Sequence, residues 1–452
     1  MKDFTQGSIT KQIIPFVIPM MIGSFFQQLY SLADAVIVGR YIGGGSLAAV
    51  GISMAVSFLL TSLIIGLTSG ASILVSQLYG GKDIERMKRV ISTSIIFLTI
   101  FSIILTVVGI TLAPIILRGL GAPLDIIDDA RIYMQITMGG IIFTAFYNMY
   151  TAYLRALGES KRPLYILIFA SLLNIGLNYL FVPILNFGIV GAAFGTVISQ
   201  GVAAILCYIY VRCKVPLLRV QKMVFEKALL IATLKYGIPA ASQLSMVAVA
   251  ALIITRLINS FGVAAIASIT AVQRIDQLAI IPIYTLSTAL SVFVGQNMGA
   301  DKESRCLKGL KVVMLQALGL SIGISGMLLI FGRRLIALFI YQYDVNFYEI
   351  LDIGFNYMRI MILFYFLFAI FFTLNGFFKG VGDAMIAMIL VAVSLAIRTV
   401  AAYGLVYLGG MGPEALAWSI PLGWVVVCIL SLVYFKKRLW VGKMAIKKVN
   451  KE

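Results

Sequence analysis

Long apolar runs separated by short polar stretches fill the 452-residue chain. A helix needs about 20 predominantly apolar residues to cross a bilayer. Twelve runs satisfy that requirement, at 13–40, 47–79, 90–117, 132–156, 163–185, 189–211, 228–259, 264–297, 310–332, 354–378, 384–408 and 414–435. Several are longer than a bilayer demands, so they should tilt or project beyond the lipid. No segment between them is large enough for a soluble domain. The pattern therefore predicts an all-α integral membrane protein with twelve transmembrane helices. The opening stretch MKDFTQGSITKQIIPFVIPMMIG lacks a small-residue cleavage site and reads as retained, its first helix serving as the insertion signal.

Composition supports the same class. Apolar residues make up 61% and charged residues 12%, against about 45–50% and about 25% in soluble domains. The formal charge of +18 would suggest nucleic acid in a soluble protein, but here it sorts by loop. The N-terminal tail, every second loop and the C-terminal tail hold most of the 36 Lys and Arg, in stretches such as GGKDIERMKR, RALGESKRP, RCKVPLLRVQK and DKESRCLKGLK. The opposite loops hold few, Arg40, Arg118, Arg333 and Arg334 among them, and carry the acidic cluster Asp125, Asp128 and Asp129. The positive-inside rule then places both termini in the cytoplasm, and the charge is an orientation signal rather than a nucleic-acid footprint. There is no histidine, and Cys207, Cys213, Cys306 and Cys428 show no CxxC spacing, so neither a zinc site nor a disulfide framework is expected.

The chain repeats itself. YMQITMGG (133–140) corresponds to YMRIMILF (357–364), and LRALGE (154–159) to FKGVGD (378–383), both 224 residues apart; VSQLYGGKD (75–83) corresponds to VGQNMGADK (294–302), 219 apart. Pro19 and Pro239 mark corresponding first helices. This register gives two six-helix pseudo-symmetric lobes, 1–220 and 221–452, joined by a basic cytoplasmic linker at about 212–227. An even number of spans per lobe makes them parallel repeats about an axis along the membrane normal.

On these residues, together with IPMMIGSFFQQLYSLADAVIVGRYIG and NIGLNYLFVPILNFGIVGAAFGTVISQ, the whole chain resembles a multidrug and toxic compound extrusion (MATE) transporter. The resemblance implies lobes arranged in a V and export driven by entry of H⁺ or Na⁺.

Two acidic residues lie deep within spans, Asp34 and Asp276. A carboxylate in a bilayer core costs roughly 2.5–3.5 kcal/mol on insertion scales, so each demands a partner or a role. Gln27, Tyr30, Ser31 and Asp34 share one face of the first helix. Asn174 and Asn178 share a face of the fifth, and Thr196 and Gln200 a face of the sixth. The resemblance assigns ion coupling to Asp34, Asn174, Asn178 and Thr196. It also implies a common aspartate in the fifth helix where this chain has Asn178, leaving Asp34 as the titratable group of that site. One carboxylate suits H⁺, because protonation removes the buried charge, although carboxamide and hydroxyl oxygens could still hold Na⁺. Gln27, Tyr30, Ser31, Asn148 and Gln200 are the candidate substrate-lining residues.

The positions where another branch of the family keeps C-terminal carboxylates read as apolar here, near Met246–Val247 and Phe368. Arg274, Asp276 and Arg398 are secondary candidates. Arg274 and Asp276 are two residues apart and cannot face each other on a helix, so Arg398 is the alternative mate for Asp276 in an interhelical ion pair. The GxxxG spacings GLTSG (66–70) and GAAFG (191–195) read as helix-packing surfaces.

The expected function is a secondary antiporter that exports organic, chiefly cationic, drugs or toxic compounds in exchange for H⁺, or Na⁺, by alternating access. It needs no cofactor, works as a monomer in a bacterial or archaeal plasma membrane, and binds no nucleic acid. The alternative is a flippase for a lipid-linked or polyisoprenoid precursor on the same fold, which should need several basic residues in its cavity. An intramembrane enzyme is not expected, since His and paired carboxylates are missing from the spans.

Overall fold

A computed structural model describes residues 1–119, 123–340 and 346–442. Among the described residues the chain is helical, with fourteen α-helices in sequence. The first seven are α1 (Ile9–Tyr41), α2 (Gly44–Gly80), α3 (Ile84–Gly119), α4 (Leu124–Gly139), α5 (Ile141–Ala156), α6 (Lys161–Tyr179) and α7 (Gly188–Lys214). The second seven are α8 (Lys227–Asn259), α9 (Val263–Gly299), α10 (Glu303–Ala337), α11 (Phe347–Leu363), α12 (Tyr365–Val381), α13 (Ala384–Tyr407) and α14 (Glu414–Lys436). Ten of them are long and apolar enough to cross a bilayer, and α11 with α12, bent by 50° at their junction, meet the same requirement together. Helices α4 and α5, sixteen residues each and joined at Gly140, occupy the place of the fourth predicted span.

The boundaries differ from the sequence pattern where polar residues extend helices. Asp125, Asp128 and Asp129, expected in a loop, lie in the opening turns of α4. A helix N-terminus carries a partial positive charge that favours carboxylates, and Asp129 also accepts a hydrogen bond from Ser46 Oγ of α2 at 2.8 Å. After α6 the chain continues through a π-helical turn, Leu180–Ile184, that contains Pro183. Proline lacks the N–H needed for a regular α-helical bond, and such turns absorb the defect. Pro15 and Pro19, by contrast, sit inside an uninterrupted α1.

The repeat is visible in the backbone. Gly43, Lys82, Gly158 and Gly188 have positive φ, and so do Gly262, Asp301, Gly382 and Gly410 at the corresponding turns. The fourth predicted span breaks at Gly140 and the tenth at Phe364, again 224 residues apart. Hydrogen bonds across helices recur as well. Thr106 Oγ1 donates to the Met138 carbonyl at 3.0 Å, and Ser325 Oγ to the Ile362 carbonyl at 2.6 Å. Ser72 donates to the Ala152 carbonyl, and Ser287, one turn out of the repeat register at both ends of the bond, to the Phe372 carbonyl. In each half, hydroxyls from neighbouring helices thus bind carbonyls of the broken span.

The chain divides into two compact units within α8: one holds Ile14–Ala241, and the other holds Gly7–Ile13 and continues from Ser242. The division falls beyond the linker because the first half of α8 packs closely on α2. A Cβ added to Gly66 would lie 2.2 Å from Ala241 Cα, and one added to Gly70 would lie 2.3 Å from the Gly237 nitrogen. Small residues in this spacing let the two backbones touch. The linker is bound to α3: Val224 N–H donates to Ser92 Oγ at 2.6 Å, and Glu226 N–H to Thr93 Oγ1 at 3.1 Å. Each unit has its own apolar core. Tyr133, Met134 and Met138 lie in that of the first, and Tyr357, Met358 and Ile362 in that of the second. The C-terminal tail from residue 443, whose lysines contribute to the orientation signal, lies outside the described residues.

Candidate functional site

In the first unit a network of hydrogen bonds links Asp34 to Asn178, Asn174, Thr196 and Ser199. This carboxylate, on α1, is 2% exposed and accepts a hydrogen bond on Oδ1 from Asn178 Nδ2. The same Asn178 amide donates to Asn174 Oδ1 at 3.1 Å, one turn earlier on α6. Asn174 Nδ2 in turn donates to Thr196 Oγ1 at 3.4 Å and Ser199 Oγ at 3.3 Å on α7. Both hydroxyls pass their protons to backbone, Thr196 to the Ala192 carbonyl at 3.1 Å and Ser199 to the Thr196 carbonyl at 2.9 Å. Sequence spacing explains the assembly. The i and i+4 positions of Asn174 and Asn178 present two carboxamides on one face of α6. Asn178 then reaches across because position 195 of α7 is glycine: a Cβ there would fall 2.0 Å from Asn178 Oδ1. That oxygen is buried and has no hydrogen-bond partner.

Tyr30 and Tyr133 complete the site. Each is within hydrogen-bonding reach of Thr196 and within electrostatic reach of Asp34. The four residues proposed for ion coupling, Asp34, Asn174, Asn178 and Thr196, therefore form one cluster, and Tyr30 joins them. The donor set is one carboxylate with carboxamides and hydroxyls, and among the described residues no group of three His, Cys, Asp or Glu could hold a metal ion.

The substrate-lining candidates separate. Gln27 and Asn148 line a cavity of about 100 Å³ together with Pro19, Tyr147, Thr151 and Arg155. Asn148 is fixed by its own amide, which donates to the Thr144 carbonyl at 2.8 Å. Ser31 and Gln200 are partly buried and do not line this cavity. The Gln200 side-chain oxygen has no hydrogen-bond partner.

The second unit handles its acid differently. Arg274 is exposed on α9. Asp276 accepts a hydrogen bond from the Tyr365 hydroxyl, and Arg398 of α13 acts on it electrostatically. The two charges do not form an ion pair within 4.0 Å, so the expected interhelical ion pair is replaced by a tyrosine–carboxylate contact. The cause is the break at Phe364, which starts α12 at Tyr365 and delivers that hydroxyl to α9. Arg398 Nε is buried without a partner.

Tyr133, Ser199 and Tyr365 were not singled out as site residues by the sequence, and Gly195 was read only as part of a packing motif. A signal for Tyr133 does exist. It opens YMQITMGG, and its repeat counterpart Tyr357 opens YMRIMILF. Tyr133 is electrostatically coupled to Asp34, and Tyr357 to Asp276, so each copy of the motif puts a tyrosine near the buried acid of its own unit.

Comparison with known proteins accounts for this arrangement. The family described as MatE matches residues 19–180 and again 239–404, one match for each repeat. The probable multidrug resistance protein YpnP of Bacillus subtilis is 30% identical over 97% of both chains. The multidrug export protein MepA of Staphylococcus haemolyticus is 26% identical over 74% of this chain and 75% of its own. A crystal structure described as MATE in complex with MaL6 superposes with a TM-score of 0.91 at 24% identity, covering 100% of this chain and 99% of that one. A transporter of the MOP superfamily from Pyrococcus furiosus gives 0.88 at 24% identity, over 96% and 97% of the two chains. With one family match in each repeat and 97% of its length shared with YpnP, the chain belongs to the MatE family of multi-pass membrane transporters.

Proposed function

We propose that this transporter exports organic cations from the cell in exchange for protons, and that Asp34 is the group that alternately holds the proton. The observation that carries the reading is the hydrogen bond that the Asn178 amide donates to the buried Asp34 carboxylate. Asn178 stands between the two ends of the network: its amide donates both to the Asp34 carboxylate and to Asn174 Oδ1, and Asn174 donates onward to Thr196, so Asp34 is held as an acceptor. Protonating Asp34 turns an acceptor into a donor and takes away the charge that Asn178 satisfies. The network must then rearrange, and α1, which carries Asp34 and both Pro15 and Pro19, is the element it moves. A ligand shifts such an equilibrium only through its different affinity for the two states, so cargo and proton compete through α1.

The same geometry favours H⁺ over Na⁺. Asn178 presents an N–H to the carboxylate, whereas a hard cation at that position needs oxygen ligands. The relatives described as multidrug resistance and multidrug export proteins support a drug-like cargo. The single acid of the first unit's site supports a positively charged one. The reading includes a monomer in the plasma membrane with both termini in the cytoplasm.

The test is transport of a permanently charged fluorescent cation into everted vesicles under an imposed ΔpH or an imposed Na⁺ gradient. Accumulation under ΔpH alone is the expected result. Accumulation that follows Na⁺ at constant pH replaces the proton with sodium, and failure under both gradients ends the antiport reading.

A further inference from the structure

A second pocket, of about 330 Å³, opens between the first turns of α6 and the last turns of α7. Arg162 is the second residue of α6 and Lys214 the last of α7, so both charges sit at one end of this antiparallel pair. The Arg162 guanidinium lies over two aromatic rings, 5.9 Å from the centroids of both Tyr165 and Tyr210. The two rings hold the guanidinium at the pocket mouth, and a guanidinium has five N–H donors, more than Tyr210 can occupy, so some remain for an anion. Glu159, three residues earlier, makes no ion pair with it within 4.0 Å. Glu159 Oε1 accepts the backbone N–H groups of Lys161 and Arg162 at 3.0 and 3.2 Å, serving the start of α6. Among the described residues, none of the ion pairs within 4.0 Å includes Arg162 or Lys214.

Below this basic rim the walls turn apolar. Ile166 lies one turn inward on α6, and Ile209 and Leu206 continue the wall on α7. At about 1.5 Å per residue, Leu206 is roughly 12 Å along the helix from Lys214. Large side chains here remain open, Tyr165 at 56% and Ile209 at 49% exposure. A basic rim above about two turns of uncovered apolar wall matches an amphiphile with a negative head. A free phosphate would satisfy the rim and leave the wall bare. Basic pockets between helices at a membrane surface are a recurrent means of holding acidic headgroups.

We propose that this pocket binds an anionic phospholipid, its phosphate on Arg162 and Lys214 and an acyl chain along Ile166, Ile209 and Leu206. The site is separate from the Asp34 network and independent of the coupling ion.

Native mass spectrometry of the full-length protein with phosphatidylglycerol or phosphatidylcholine of identical acyl chains tests this. Phosphatidylglycerol should be retained preferentially, and Arg162→Gln and Lys214→Gln should each lower its retention about fivefold. Cys213 lines the same pocket and is exposed, while Cys207, Cys306 and Cys428 are buried. In wild-type protein, phosphatidylglycerol should therefore slow maleimide labelling of Cys213, and inorganic phosphate should not. The labelling needs no variant to fold. Equal retention of the two lipids, unchanged retention in both variants, or protection of Cys213 by phosphate alone would each overturn the proposal.

Discussion

Asn178 occupies the space that a side chain at Gly195 would fill, its Oδ1 only 2.0 Å from where a Cβ would stand. The contact makes Gly195 a positioning residue for the Asp34 network. Gly195→Ala should displace the Asn178 amide from Asp34, which is feasible because the clashing atom ends a short side chain. The cost in stability should stay near the lower end of the ~1–3 kcal/mol typical of overpacking. ΔpH-driven export should fall at least tenfold, as in Asn178→Ala, while the melting temperature changes little. Full export by Gly195→Ala would show that the amide need not reach the acid.

Asp34→Asn keeps the shape of the side chain and removes the titratable group. The variant should insert and fold, yet lose gradient-driven export. In the wild type, affinity for a permanently charged dye should fall as the pH is lowered, because a proton on Asp34 opposes the cation. Dye-binding titrations across pH should show that dependence disappearing in Asp34→Asn. A wild type whose affinity ignores pH would make Asp34 a structural group.

Tyr133→Phe retains the buried ring and deletes one hydroxyl. That hydroxyl lies near both Thr196 and Asp34, and a polar contact of this kind is worth about 1 kcal/mol, so coupling should weaken by roughly fivefold without being abolished. Transport at several imposed pH gradients measures this. Tyr357→Phe, at the repeat counterpart, should leave proton coupling unaltered, which separates a role at Asp34 from general packing.

Tyr365→Phe takes from Asp276 its hydrogen-bond donor in the second unit. A buried group left unsatisfied costs about 1–3 kcal/mol. Thermal stability should drop by that order, and export per folded molecule should hold. A change in proton coupling at constant stability would instead make Asp276 a second proton site.

Lys222 and Asp128 are both exposed. Cysteines placed there should be labelled from opposite faces of the membrane, Lys222 from the cytoplasm. Labelling of both from one face would refute the orientation and, with it, the parallel repeat.

Much of this site could be read from spacing. Asp34 stands out because a bilayer penalises charge, and Asn174, Asn178 and Thr196 because polar residues one turn apart on an apolar helix share a face. Tyr133 and Ser199 lack that contrast, since tyrosine and serine occur on many spans as ordinary interhelical donors. Gly195 looked like one more small residue of a GxxxG pair. Its neighbour across the interface, unlike that of Gly66, is a functional side chain, which only the packing of α6 on α7 reveals. The break at Phe364 has no proline or glycine to announce it, and repeat alignment with Gly140 is the clue that survives in the sequence. The early start of α4 was hidden by the acids that stabilise it.

The amide at position 178 also limits what one cycle can accomplish. With a single titratable group in the network, a turnover of the proposed exchange admits one proton. One pH unit then supplies about 1.36 kcal/mol, enough for a tenfold concentration ratio. Exporting a singly charged cation against that proton moves no net charge, so membrane voltage neither drives nor opposes it. A zwitterionic cargo gains about 2.3 kcal/mol per 100 mV, and a dication works against the same amount. The charge of the cargo therefore decides how far an energised membrane can empty the cell of it.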